Sequence, residues 1–342
     1  MHAARTVSLV AFFLVPGCSS CRGGVAPAAR NEPVKKWTST TERFSAPAGT
    51  LHHLQADGSA LYWTSCASFD APCSLLRLAR DASKPTVLAV RPSICAVALD
   101  DASVYFASGE QILRVGKTGA SPTVLAEGIA VVDLQVAGGF VYAGVADTRD
   151  LDGPSASPHA GSFVRIPLSG GKRVVLGEHH AHNPRMAVDQ RRIYFLSDTW
   201  IDSIPVTGGT VDELVHDERN AMTSLALDGE AIFFTAGGEV RRVAKSGGAV
   251  TVLYRAQIVL DVRAASGVLY ATRNLAYDRS AVAETAALVR IDDIHTSHPS
   301  SRVLTELHES PQALAVDPDG VYLLLRPQGA GPDRVLALPD GS

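Results

Sequence analysis

With 342 residues, 46% of them hydrophobic and 19% charged, the chain has the apolar content for a large core and is not globally disordered. Its 31 Lys plus Arg stand against 35 Asp plus Glu, and a net charge of -4 argues against the basic face of a general polyanion binder, so no nucleic-acid partner is expected. Past the N-terminus no run reaches the roughly 20 apolar residues of a spanning helix.

The chain begins with a short positive region at Arg5, an apolar stretch from Thr6 to Val15, and Val15-Pro16-Gly17-Cys18. This pattern resembles a bacterial lipoprotein signal peptide, with Pro16 and Val15 departing from the commonest residues of its cleavage box. The resemblance implies removal of residues 1–17, a lipid on Cys18 and anchorage of the mature protein to a membrane leaflet outside the cytoplasm. Ser19 stands where Asp would retain such a protein at the inner membrane, so the sorting rule implies the outer membrane. The alternative is an ordinary secretory signal cut near Ala26-Pro27-Ala28, giving a soluble secreted or periplasmic protein. Residues 18–35, rich in Gly, Ala, Pro and Ser, read as a flexible tether.

From residue 36 onward the chain repeats. Ala221 to Arg255 shows the unit at its plainest: four short runs rich in β-branched, aromatic and other apolar residues, separated by Asp228-Gly229, Gly237-Gly238 and Ser246-Gly247-Gly248. Aligned on the aromatic residue of the second strand, seven copies appear, at Tyr62, Tyr105, Tyr142, Tyr194, Phe233, Tyr270 and Tyr322. Five residues earlier stands Asp57, Asp100, Asp189, Asp228 or Asp317, a residue that closes its own turn; Ala137 and Ala265 occupy the other two copies. An Arg recurs in the third strand (Arg77, Arg114, Arg165, Arg242, Arg290), with Ser203 and Ala337 as exceptions, and reads as a hydrogen-bonder between blades or on the rim. Four strands per repeat at this period predict an all-β, seven-bladed propeller over 36–342. The last copy lacks a fourth strand, and the run Lys36 to Ser45 is expected to supply it and close the ring. A monomer is expected.

The repeat, most literally at Leu61-Tyr62-Trp63-Thr64, resembles the extracytoplasmic YWTD, NHL and gluconolactonase-like propellers. YWTD and gluconolactonase-like propellers have six blades, so their metal ligands and partners are not carried over to seven.

Length varies in one connector. From the aromatic residue to the third-strand Arg position the separation runs from 9 to 23 residues, whereas the remainder of the repeat spans 28 to 32. The longest connectors, Ala146 to Ser162 and Arg273 to Ala286, fall on the face that also carries the blade-to-blade links. Loops elaborated on a rigid scaffold are where binding is expected. On that face Asp147, Asp150 and Asp152 before Gly153 have part of a calcium-loop pattern without its terminal Glu, and His179, His180 and His182 form a cluster without a fourth ligand. A solvated acidic loop and a surface His cluster are the expected readings, with no metal and no cofactor.

Nine and seven residues before each aromatic, small residues dominate where the inner strands converge, and the departures are His53, Gln55, Asp133, Gln135, Arg185, Asp261 and Arg263. Two readings stand for the ionisable ones: a polar ring at the channel mouth that reads a ligand, or salt bridges between blades with Asp133 pairing Arg185. Cys66 and Cys73 flank the first long connector and are expected to form a disulfide, while Cys95 reads as a buried free thiol of an inner strand. No G-x-S-x-G, HExxH or paired CxxC occurs. The expectation is a membrane-tethered propeller that binds an envelope protein, peptide or glycan through its long-loop face; the alternative is a lyase- or lactonase-like enzyme at the channel mouth, using His53 and the acidic residues.

Overall fold

The computed structural model describes residues 40–47, 50–68, 71–146, 161–179, 185–274 and 286–338. The signal and tether assignments for 1–35 lie outside these residues; the rest of the chain, 36–342, forms its own compact unit. Closure strand β1 spans Thr41–Ala46. Blade one is β2 to β5 (Leu51–Ala56, Ala60–Cys66, Cys73–Ala79, Thr86–Arg91), and blade two is β6 to β9 (Ala96–Leu99, Ser103–Ser108, Gln111–Gly116, Thr123–Glu127). Blade three is β10 to β13 (Val131–Ala137, Phe140–Ala146, Gly161–Pro167, Val174–His179), and blade four β14 to β17 (Met186–Val188, Arg192–Ser197, Trp200–Pro205, Asp212–His216). Blade five is β18 to β21 (Met222–Leu227, Ala231–Ala236, Glu239–Ala244, Thr251–Arg255), and blade six β22 to β25 (Ile258–Ala265, Val268–Asn274, Ala286–Asp292, Ser300–Leu307). Blade seven takes β26 to β28 (Ser310–Asp317, Gly320–Arg326, Asp333–Leu338) and borrows β1 as its outer strand, in the order β1-β28-β27-β26. Thr41 faces Ala337 and Ala46 faces Asp333, so the chain ends lock the ring.

The hydrophobic core lies between successive blades, with the seven second-strand aromatics all buried. Phe44 of β1 packs on Trp63 of blade one, ring centroids 5.1 Å apart, so the closing strand also seals the junction between blades seven and one.

Charges tie the blades together on the face of the short turns. Asp57 Oδ1 accepts the amides of Ser59 and Ala60 at 2.9 Å, closing its own turn, while Oδ2 takes Tyr62 Oη at 3.0 Å and the Lys117 ammonium of the next blade. The device recurs as Asp189 with Lys245 at 2.8 Å, Asp228 with His295 at 2.6 Å and Asp317 with Arg80 at 2.6 Å. Each pairs a turn carboxylate with a Lys, Arg or His side chain following the third strand of the next blade. The recurrent third-strand Arg reaches the same way: Arg114 donates to Leu168 O at 3.0 Å, Arg165 to Val206 O at 2.9 Å and Arg242 to Ile294 O at 2.5 Å. In these blades both residues are therefore inter-blade clamps, while Asp100 keeps to its own blade, accepting the Ala102 and Ser103 amides and Tyr105 Oη.

Candidate functional site at the channel mouth

The inner strands β2, β6, β10, β14, β18, β22 and β26 neighbour one another around the axis, and the residue nine before the aromatic sits near the start of each, on the long-loop face. A β-bulge immediately precedes or includes this position in blades one, three, five, six and seven, which re-aims the side chain. Two of these side chains reach the next inner strand. Asp133 Oδ2 accepts the Met186 amide at 2.9 Å, and Ser224 Oγ accepts the Val262 amide at 3.2 Å.

Asp133 is thus bound by amides, with Oδ1 on its neighbour Leu134 N at 2.8 Å, and the expected ion pair with Arg185 does not form. The bulge turns the carboxylate onto the backbone of blade four, leaving Arg185, an exposed residue, near enough to act only through its field. Burial pushes the Asp133 carboxyl up to about 6, against the pull of the Met186 and Leu134 amides, Arg185 and Arg263. Asp261 and Arg263 do pair, at 2.5 Å, but within one blade rather than across two; Ser224 Oγ also donates to Asp261 at 2.5 Å. Gln55 lies half-buried opposite Tyr62.

His53 stands in the bulge of β2 with φ of 55°, left-handed backbone that His tolerates better than branched residues do. Burial, then the charges of His52 and Arg185, lower its imidazole to about 4, although a hydrogen bond to the Ile94 backbone favours the protonated ring. At neutral pH it is an uncharged imidazole facing a cationic neighbour. Cys95 corrects its expectation: the thiol is free, but the residue precedes β6 and is exposed, with Sγ 3.5 Å from Val131 O.

Elsewhere on this face, Cys66 and Cys73 form the expected disulfide between the ends of β3 and β4. His179 is not a connector residue. It ends β13 with 3% exposure, its ring 4.7 Å from Phe163 and 6.3 Å from Phe195. Gly161 across the strand makes this possible, because a Cβ there would stand 2.5 Å from the imidazole. His180, His182, Asp150 and Asp152 lie outside the described residues. Among the described residues no group of three or more His, Cys, Asp or Glu is placed to hold a metal ion.

Sequence reasoning missed two features. Trp200 and His216 stack at 3.4 Å on the long-loop face of blade four. A cavity of about 930 Å³ opens on the opposite face, between blades four and five.

No family model matches the sequence, and no curated protein matches it. Solved structures do. An oligogalacturonate lyase from Vibrio parahaemolyticus is similar at TM-score 0.65 and 11% identity, covering 89% of this chain and 96% of that one. An oligogalacturonate lyase in complex with manganese is similar at 0.63 and 12%, covering 88% and 96%. The β-propeller domain of the Trilobed protease from Pyrococcus furiosus, which has an open velcro topology, is similar at 0.61 and 11%, covering 86% and 94%. At these identities the likeness shows the fold, and β1 gives this ring a closing strand.

Proposed function

We propose that the protein is a lipid-anchored propeller of the bacterial cell envelope, at the outer membrane, that binds an envelope protein, peptide or glycan through its long-loop face. One observation carries the binding reading: repeat-length variation is confined to the connectors of the face on which His53, Asp133 and Arg185 surround the channel mouth. The stacked Trp200–His216 pair adds an aromatic surface to the same face. The lipobox at Cys18 supports the anchor. The lyase-like alternative has only fold-level support. The channel carboxylates it needs as bases are held by amides and by Arg263, and a base must reach its substrate proton unencumbered.

The test is a partner comparison in envelope extracts between the wild-type chain and variants with shortened 146–162 and 273–286 loops. A partner retained by the wild type and lost, by at least about tenfold, from either variant is expected. Equal retention by all three overturns the loop-face reading, and unchanged membrane association of a Cys18→Ala variant overturns the anchor.

A further inference from the structure

Among the ring of residues nine before the aromatics, Arg185 is the one Lys or Arg, and the acids are Asp133 and Asp261. Both acids are occupied. Asp133 holds the Leu134 amide at 2.8 Å with one oxygen and the Met186 amide at 2.9 Å with the other. Asp261 Oδ1 takes Ser224 Oγ and Arg263 Nη1, each at 2.5 Å, and the Val262 amide at 2.9 Å.

Arg185 differs from both. It is exposed and immediately precedes β14, where its carbonyl accepts the Leu196 amide at 2.9 Å and so fixes the root of the side chain. Among the described residues no hydrogen bond or ion pair holds its guanidinium. The charge nevertheless acts on Asp133 of blade three and on His53 of blade one, across the ring from blade four, so the guanidinium stands toward the axis rather than the outer rim. His53 offers it no competing charge, because its ring bonds the Ile94 backbone and is neutral at neutral pH. An entering ligand therefore meets acids whose oxygens are engaged and one arginine whose donors are unused.

The chemistry of that arginine selects the ligand group. A guanidinium is a planar fork that grips a carboxylate through two parallel N–H···O bonds. Inner strands that converge on one axis admit the end of a chain more readily than its middle. None of the seven ring positions holds a Trp, Tyr or Phe on which a sugar could stack, and the Trp200–His216 pair sits on the third and fourth strands of blade four, away from the axis. We infer that Arg185 anchors the C-terminal carboxylate of a peptide or protein chain at the channel mouth. This rests on the binding reading above and names the group that the long-loop face recognises.

The test titrates the full chain by calorimetry with N-acetyl-trialanine, its C-terminal amide and a glucuronate disaccharide. The free acid is expected to bind one site at least about tenfold more tightly than the amide or the disaccharide. Arg185→Gln, which keeps hydrogen-bonding capacity but removes the charge and the fork, should weaken the acid at least about tenfold with an unchanged melting temperature, and Arg185→Lys should restore only part of the affinity. Equal affinity for acid and amide, binding of neither, or undiminished binding by R185Q overturns the anchor. Tighter binding of the disaccharide overturns the choice of a peptide terminus. The variants with shortened 146–162 and 273–286 loops keep Arg185 and should bind the free acid as the wild type does. An envelope partner lost from those variants while acid and amide bind alike would sink the anchor and leave the loop-face reading standing; a partner retained by them while R185Q loses the acid would do the reverse.

Discussion

The two ends of the central channel treat charge in opposite ways. On the short-turn face each clamp carboxylate meets donors on several sides: burial opposes ionisation of Asp57, but Lys117, Ser59 and the turn amides outweigh it and hold the group at about 2. Asp189 is lowered by the same balance, burial outweighed by Lys245 and the turn amides, and so is Asp100, which has no inter-blade partner among the described residues, through Tyr105 and its own turn. At the long-loop mouth, burial instead wins, raising Asp133 to about 6 and lowering His53 to about 4. The clamps spend charge on holding blades together, whereas the mouth keeps ionisable groups where ionisation is unfavourable. Such groups mark candidate functional sites more often than scaffold.

The largest expected effect is the difference between a clamp and a mouth carboxylate. Asp317 has a side chain 2% exposed, and it accepts Arg80 at 2.6 Å, the Gly58 amide at 2.8 Å and the Asp319 amide at 2.9 Å. Asp317→Asn removes the nearer of two carboxylates from Arg80, leaving Asp319 at 3.6 Å, and should cost about 3 kcal/mol in urea unfolding at pH 7.5. Asp133→Asn loses one amide hydrogen bond but removes an unfavourably placed charge, so its stability should stay within about 1 kcal/mol of wild type. Equal costs would erase the distinction between the faces.

A smaller effect separates the same groups by pH. His53 has a folded value near 4 against 6.5 unfolded, so its contribution is complete above 6.5 and lost as pH falls toward 4. Asp133, folded near 6 against 3.8, contributes fully below 3.8 and loses that contribution as pH rises through 6. Asp202, raised to about 6 by burial and by Glu213, acts in the Asp133 direction. The opposed trends flatten the wild-type profile between pH 4 and 6. His53→Gln should unmask a fall of about 1–2 kcal/mol over that window as pH rises, with both carboxylates partly solvent-exposed. Asp133→Asn should tilt the profile toward higher stability at pH 6. Asp57 governs a separate acid limb, lost as pH falls from 3.8 through 2. Melting temperatures across pH 2 to 8 read all three, and a profile unchanged by His53→Gln would remove His53 from the buried ring.

What was readable in the chain was what repeats. The seven aromatics, the turn Asp, the bridging Arg and the strand missing from the last blade each recur or fail at a fixed spacing, and the fold followed from them. What was hidden depends on a contact that spacing does not encode. His179 looks like part of a surface cluster with His180 and His182, and only the pairing of Gly161 with it explains the buried ring. Asp133 and Arg185 invite an ion pair, and the bulge between Val131 and Asp133 sends the carboxylate to an amide instead. Ser203 and Ala337 look like equivalent lapses in the repeat. At the Ala337 junction Arg43, from the opposite end of the chain, donates to Arg80 O and Ala82 O of the next blade, whereas at Ser203 the guanidinium of Arg192 stays within its own blade.

That difference supplies the finest test of the clamp face. If the carbonyl beyond the third strand is a standing acceptor for a guanidinium, Arg43→Ala should destabilise the ring by about 1 kcal/mol. Ser203→Arg should stabilise it by no more than that, because ordering a long side chain offsets part of the new hydrogen bond. The two changes act at junctions on different sides of the ring and should therefore add in the double variant. Urea midpoints at constant slope resolve shifts of this size. A loss on Ser203→Arg would mean that Arg192, which donates to Ser203 Oγ at 3.0 Å and to Ser203 O at 3.2 Å, already fills the groove.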